Sequence, residues 1–233
     1  MSELEKLVKN DNSETYAELS LINNIIKDNS IVFDVGARDS KIPLLNKNSE
    51  YHLFEPISYN VDKLYKEYSS FNNVIINKYC LSDCEEEVEI FKESESINKR
   101  LNFTYIWDKN GDHRVINGIT EKISCLKLVD YIKNNDIKKI DLIKIDVEGY
   151  EYKVIKGLEE KIDIVNNIIF EYGIGTYSSS NCELKDIVSL LSKGFKFYII
   201  ENDSIKSLDL TNESVYEKTK SINYCNLLAK KNE

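Results

Sequence analysis

Four apolar runs of this chain each end in a carboxylate, and those carboxylates are its main candidates for chemistry. The richest is Lys144-Ile145-Asp146-Val147-Glu148-Gly149-Tyr150-Glu151, which continues Ile140-Asp141-Leu142-Ile143 and then passes into a helical pattern. The others are Ile31-Val32-Phe33-Asp34-Val35-Gly36-Ala37, Tyr51-His52-Leu53-Phe54-Glu55-Pro56 and Ile168-Ile169-Phe170-Glu171. Each reads as a strand delivering an acid to its carboxyl end, where open α/β sheets hold their ligands. Acids so placed can pair with a ligand cation, accept hydrogen bonds from hydroxyls, or take up a proton. For any one of them the plain alternative is an acid that merely terminates a strand; it accounts poorly for all four together.

The elements that must position these acids follow in order along 233 residues, a length that fits one domain over residues 1–233. Leu19, Ile22, Ile25 and Ile26 recur at helical spacing, so a helix over about residues 15–27 should precede the first strand. Gly36-Ala37-Arg38-Asp39-Ser40 should form a tight turn after that strand and open a short helix with Pro43 in its first turn. A third strand is expected over residues 74–79, leading to Cys80-Leu81-Ser82-Asp83, and a helix over residues 126–132. Between them, residues 92–120 lack a period but hold Phe103, Tyr105, Trp107 and His113. A stretch this long reads as an insertion or lid near the site, or else as a surface excursion packed by its own aromatics. Further strands are expected at residues 165–171, 195–200 and 224–229, the last two joined by a polar excursion.

The formal net charge of -9 argues against nucleic acid as a partner, because a phosphate backbone is held by clustered Lys and Arg. The five cysteines, Cys80, Cys84, Cys125, Cys182 and Cys225, are odd in number and match no zinc spacing. They are read as separate and reduced, which fits a cytoplasmic protein. No run approaches the length of a membrane span, so no membrane insertion is expected.

Taken together, the motifs resemble the FkbM-type family of S-adenosylmethionine-dependent methyltransferases. The matching pieces are Phe33-Asp34-Val35-Gly36-Ala37, Phe54-Glu55-Pro56, Leu81-Ser82-Asp83, Ile143 to Glu151 with Val154 and Gly157, and Asn226-Leu227-Leu228-Ala229. They cover roughly residues 30–230, and Lys-Ile-Asp-Val-Glu-Gly is the most specific. The resemblance implies an α/β, class I methyltransferase (Rossmann-like) fold. Its sheet would have seven mostly parallel strands, the last antiparallel, with helices on both faces. It also implies O-methylation of a sugar, glycan or other small hydroxylated acceptor, with S-adenosyl-L-methionine as cofactor. By position, Asp34, Gly36 and Ala37 would line the methionine end of the cofactor, with Arg38 in the same loop. Glu55 would take the ribose hydroxyls with Pro56 fixing the chain behind it, Ser82 and Asp83 would lie near the adenine, and Asp146 at the reaction centre. The family loop usually reads Asp-x-Gly-Ala-Asn-x-Gly, whereas Arg38 here replaces the Asn and Ser40 the second Gly.

For chemistry, Asp146 is the leading base for deprotonating an acceptor hydroxyl, with Glu171 and His113 as further catalytic candidates. His113 has the pKa best suited to the task. Lys144, on an otherwise apolar strand, should pair with a carboxylate if buried. Asp146, Glu148 and Glu171 could hold a divalent cation, Mg²⁺ or Mn²⁺, that clamps vicinal hydroxyls. The competing readings are a nucleic-acid methyltransferase and a catalytically silent binding module of the same fold.

Overall fold

A computed structural model of the chain describes residues 16–92, 105–106, 119–173, 182–201, 204–208 and 224–232. Its main sheet uses strands β1 (Ile31–Val35), β2 (Glu50–Phe54), β3 (Val74–Asn77), β8 (Leu142–Ile145), β9 (Asn167–Gly173), β10 (Phe195–Glu201), β11 (Ser204–Leu208) and β12 (Tyr224–Lys231). Their order is β11-β10-β12-β9-β8-β1-β2-β3. The five strands from β3 to β9 run parallel, and β12 lies antiparallel between β9 and β10.

The sheet therefore has eight strands where seven were expected, because part of the polar excursion pairs with β10 as the extra edge strand β11. Ser204-Ile205-Lys206-Ser207-Leu208 is too polar to announce a strand. An edge position tolerates that, since it is paired on one side only.

Alternation along the central strands sorts their side chains onto two packed faces. Val32, Leu142, Ile169 and Leu228 meet Leu19 and Ile22 of α1 (Tyr16–Ile25), the following Ile26, and Leu64 and Tyr68 of α2 (Ser58–Tyr68). Phe33, Val35, Ile143, Ile145, Ile168 and Phe170 face the other way. They pack on α3 (Leu128–Asn134), α4 (Glu151–Lys156) and α5 (Leu184–Leu191), through Ile132, Val154, Ile155 and Ile187. The buried parallel strands are continuous apolar runs for this reason, and Asp34 and Lys144 stand out as exceptions.

Residues after β3 depart from expectation. The chain leaves the main sheet at Asn77 and enters a second one, ordered β4-β7-β5-β6, with β4 (Cys80–Ser82), β5 (Glu86–Lys92), β6 (Tyr105–Ile106) and β7 (Ile119–Lys127). The expected helix over 126–132 begins only at Leu128, because Leu126 and Lys127 still pair with Leu81 and Ser82. The rest of the expected insertion, including Phe103, Trp107 and His113, lies outside the described residues. Cys80 and Cys125, opposite each other on β4 and β7, form a disulfide. The reading of five separate reduced cysteines is corrected there, and its support for a cytoplasmic compartment falls with it. Among the described residues no helix is long and apolar enough to cross a membrane.

Candidate active site

The register brings the predicted acids to one edge. Val35 opposes Phe54 and Ile145, Ile145 opposes Phe170, and Phe170 opposes Leu227. One residue further along, Glu55, Gly36, Asp146 and Glu171 come side by side at the carboxyl ends, and Glu171 pairs with Asn226 of β12.

Gly36 sets how closely β1 and β8 can end. Its φ is +84°, and a Cβ built on it would lie 1.9 Å from the Asp146 carbonyl oxygen. The Asp146 amide donates to the Val35 carbonyl at 2.9 Å, and the Gly36 and Ala37 amides both donate to Phe54 O, at 2.9 and 3.0 Å. Three strand ends are thus stitched together by backbone. Arg38 follows with φ +42°, a left-handed conformation that its Cβ disfavours and that asparagine tolerates better. Ser40 does not cap a regular α-helix, because the expected short helix is one 3₁₀ turn, Ile42–Leu44. Its hydroxyl accepts from the Ile42 amide at 3.2 Å, and its carbonyl accepts from the Tyr68 hydroxyl.

Glu55 is buried, and its carboxylate accepts from the Arg38 amide at 2.9 Å and the Ile57 amide at 2.9 Å. Burial pushes its pKa up, against the pull of these two amides. The Asn60 side chain is a third donor to this carboxylate, which leaves one of its four acceptor sites open. Pro56, half-buried, lies between the bonded ends of that loop.

Asp34 is fully buried on β1 opposite Lys144, and neither of its oxygens has a hydrogen-bond partner of normal geometry. Burial pushes its pKa up; the Lys144 ammonium and the nearby Ser40 hydroxyl oppose this, while Asp146 adds to it. Lys144 Nζ lies 3.5 Å from Asp146 Oδ2, so the buried lysine does meet a carboxylate. Glu18, at the start of α1, joins the same group. It is 5% exposed, accepts from Asn226 Nδ2 at 3.4 Å, and its pKa is raised by burial, with Lys144 opposing and Asp146 and Asp34 reinforcing. The sequence reading missed it, although Glu18 stands four residues before Ile22 on the buried stripe.

Glu151 was also missed as a site residue. Its Oε1 accepts from the Val147 amide at 3.1 Å and the Gly149 amide at 3.3 Å, while the buried Oε2 has no partner. It ties down the turn after Asp146, where Glu148 and Gly149 have φ of +56° and +103°. Burial raises its pKa to about 7, against the pull of these amides.

Ser82 and Asp83 make their contacts elsewhere, with β5 and α4. The Ser82 hydroxyl donates to Glu86 at 2.9 Å, and Lys156 donates to Asp83 at 2.6 Å. Burial works to raise the Asp83 pKa, but Lys156 outweighs it and holds it low. His52 is buried between the Tyr131 hydroxyl and Glu50 and serves packing. His113 lies outside the described residues.

The possible cation site is not assembled among the described residues. Asp146, Glu148 and Glu171 are not gathered around a common point, and among the described residues only Asp83, Cys84 and Glu86 lie close enough to share an ion. Two of those are already paired, Asp83 with Lys156 and Glu86 with Lys153.

Comparison with known proteins bears on the family and the fold. The hexuronic acid methyltransferase AglP of Haloferax volcanii is 30% identical over 84 residues, covering 36% of this chain and 33% of AglP. The chain thus accounts for about a third of that relative's length. Among solved structures, an rRNA methylase from Streptococcus thermophilus superposes with TM-score 0.52 at 10% identity, covering 94% of this chain and 96% of the other. A TehB-like SAM-dependent methyltransferase from Corynebacterium glutamicum gives 0.51 at 10% identity, covering 98% and 94%. A Streptococcus mutans protein in complex with SAH gives 0.50 at 8% identity, covering 100% and 99%. At such identities these structures establish the fold, which is that of the class I methyltransferases. The profile described as the methyltransferase FkbM domain matches residues 34–197, and on that match the chain belongs to the FkbM family of S-adenosylmethionine-dependent methyltransferases.

Proposed function

We propose that this chain, acting as one methyltransferase domain, transfers a methyl group to a hydroxyl of a sugar or glycan. The observation that carries the site is Asp34, a carboxylate fully buried near the carboxyl end of β1 with neither oxygen in a hydrogen bond of normal geometry. A buried carboxylate left so is costly until a cation or donor reaches it, and S-adenosylmethionine carries an ammonium and a sulfonium. When bound, the cofactor supplies an electrophilic methyl group. Its residues would be Asp34, Gly36, Ala37 and Arg38 at the methionine end, Glu55 and Pro56 at the ribose, and Ser82 and Asp83 toward the adenine. Glu55 would keep its two amide bonds and accept both ribose hydroxyls, the second of them in place of the Asn60 side chain.

The reaction needs an acceptor oxygen held in line and a group to take its proton. Asp146 Oδ2 faces Lys144, which leaves Oδ1 to receive the proton. Glu171 stands at the neighbouring strand end to orient the acceptor, and His113 is the alternative base. A sugar acceptor is supported by the similarity to a hexuronic acid methyltransferase.

A screen with labelled cofactor against monosaccharides, uronic acids, nucleotide sugars and released glycans tests the reading. Methylation of a sugar hydroxyl is expected, and Asp146→Asn should lower turnover about 10²-fold or more while cofactor affinity changes far less. Normal turnover in Asp146→Asn would move the base to His113. Cofactor binding with no sugar methylated would leave a silent binding module or another acceptor.

A further inference from the structure

We propose that Glu18 of helix α1, which precedes the family match, completes the cofactor site by binding the α-ammonium of the methionine end. The inference rests on the cofactor reading above and extends it to an element that the family profile, beginning at residue 34, does not include. The Glu18–Asn226 hydrogen bond places the first turn of α1 beside the strand ends, since Asn226 pairs with Glu171 of β9. Leu19, Leu21 and Ile22 seat it on the sheet, which leaves Glu18 little freedom.

Glu18, Asp34 and Asp146 all interact electrostatically with the buried ammonium of Lys144. Burial raises the pKa of Glu18 and Asp34, and Asp34 adds to the rise at Glu18, so a cation arriving beside them would stabilise their charged forms. Asp34 independently points to a ligand, since it is fully buried without a hydrogen-bond partner in the same group. Asn226 of β12 donates to Glu18 Oε2 and so ties the carboxylate to the sheet. An ammonium bound by Asp34 would lie within electrostatic reach of Glu18 as well, so the cofactor itself would tie α1 to the sheet edge. The alternative is a helix-to-sheet tie through Lys144, which would affect folding but not discriminate among ligands.

Calorimetry with three ligands separates these accounts. S-adenosylmethionine carries both cationic groups, S-adenosylhomocysteine only the ammonium, and 5′-methylthioadenosine neither. Glu18→Gln should weaken the first two about 10- to 100-fold, the range for a hydrogen bond between charged groups. Affinity for 5′-methylthioadenosine should stay within about 2-fold. Glu18→Asp, which keeps the charge but withdraws it by one methylene, should show the same selective loss at smaller size and serves if the Gln variant does not fold. Equal weakening of all three ligands, or unchanged affinity for S-adenosylhomocysteine, overturns the role of Glu18 and leaves the cofactor reading standing. A wild-type protein that binds none of the three overturns both.

Discussion

Gly36→Ala probes the contact that closes the crevice, and its cost can be worked from the geometry. The new Cβ would sit 1.9 Å from the Asp146 carbonyl oxygen and 2.9 Å from its carbon, where real Cβ contacts stay beyond about 3 Å. The obstructing atoms are backbone, so no side chain can rotate away. Holding an L-residue at φ +84° adds about 1–2 kcal/mol, and forced overpacking typically costs about 1–3 kcal/mol. The total is about 2–5 kcal/mol, which lowers Tm by about 4–20 °C for a chain of this size. Relief would come from separating the ends of β1 and β8, which lengthens the bond from the Asp146 amide to Val35 O and shifts the Asp146 side chain. Cofactor affinity should therefore fall along with stability. Gly194→Ala is the matched control, because a Cβ there meets nothing within 4 Å and the φ is not left-handed; it should stay within about 0.5 kcal/mol. Thermal melting and calorimetry of both variants decide it. A Gly36→Ala protein that melts and binds like Gly194→Ala would refute the claim that this close approach builds the site.

Three further perturbations have signs set by the structure. Arg38→Asn should raise Tm by a few degrees, since asparagine accepts φ +42° at lower cost than about 1–2 kcal/mol and the exposed 3.9 Å pair with Asp39 contributes little; an unchanged or lower melting point counts against strain at this residue. Glu151 has a folded pKa raised to about 7 from 4.5, so its contribution to stability is complete below about pH 4.5 and is lost as pH rises through 7. The difference in stability between wild type and Glu151→Gln should drift in the variant's favour from about pH 5 to 8, and parallel pH profiles would show that burial does not keep this carboxyl protonated. Removing the Cys80–Cys125 bridge by paired serine substitutions frees a crosslink spanning 45 residues and should cost about 2–4 kcal/mol in chemical denaturation; equal midpoints with and without reductant would argue that the bridge does not form.

Periodicity and strand-end residues were enough to read the parallel core and the edge that bears the acids. The runs through Val32, Phe54, Ile143 and Phe170 are apolar because both faces are covered; Glu55, Asp146 and Glu171 follow the last apolar residue of their runs, whereas Asp34 stays buried within β1. Lys144 was legible for the same reason, as a charge that burial obliges to find a partner. Local pattern could not reach the partners that come from distant sequence. Glu18 joins Asn226 across 208 residues, and only the packing of α1 on the sheet brings that acid to the group around Lys144. Cys80 and Cys125 meet because β4 leaves the main sheet to pair with β7, a choice of register that the cysteine spacing does not encode. The edge strand β11 is a tertiary outcome as well, since β10 supplies the hydrogen bonds that its own polar residues do not advertise. Sequence thus determined which residues could act and which must be buried. The tertiary structure decided which of them meet, because a side chain's electrostatic partners are set by the packing of elements far apart along the chain.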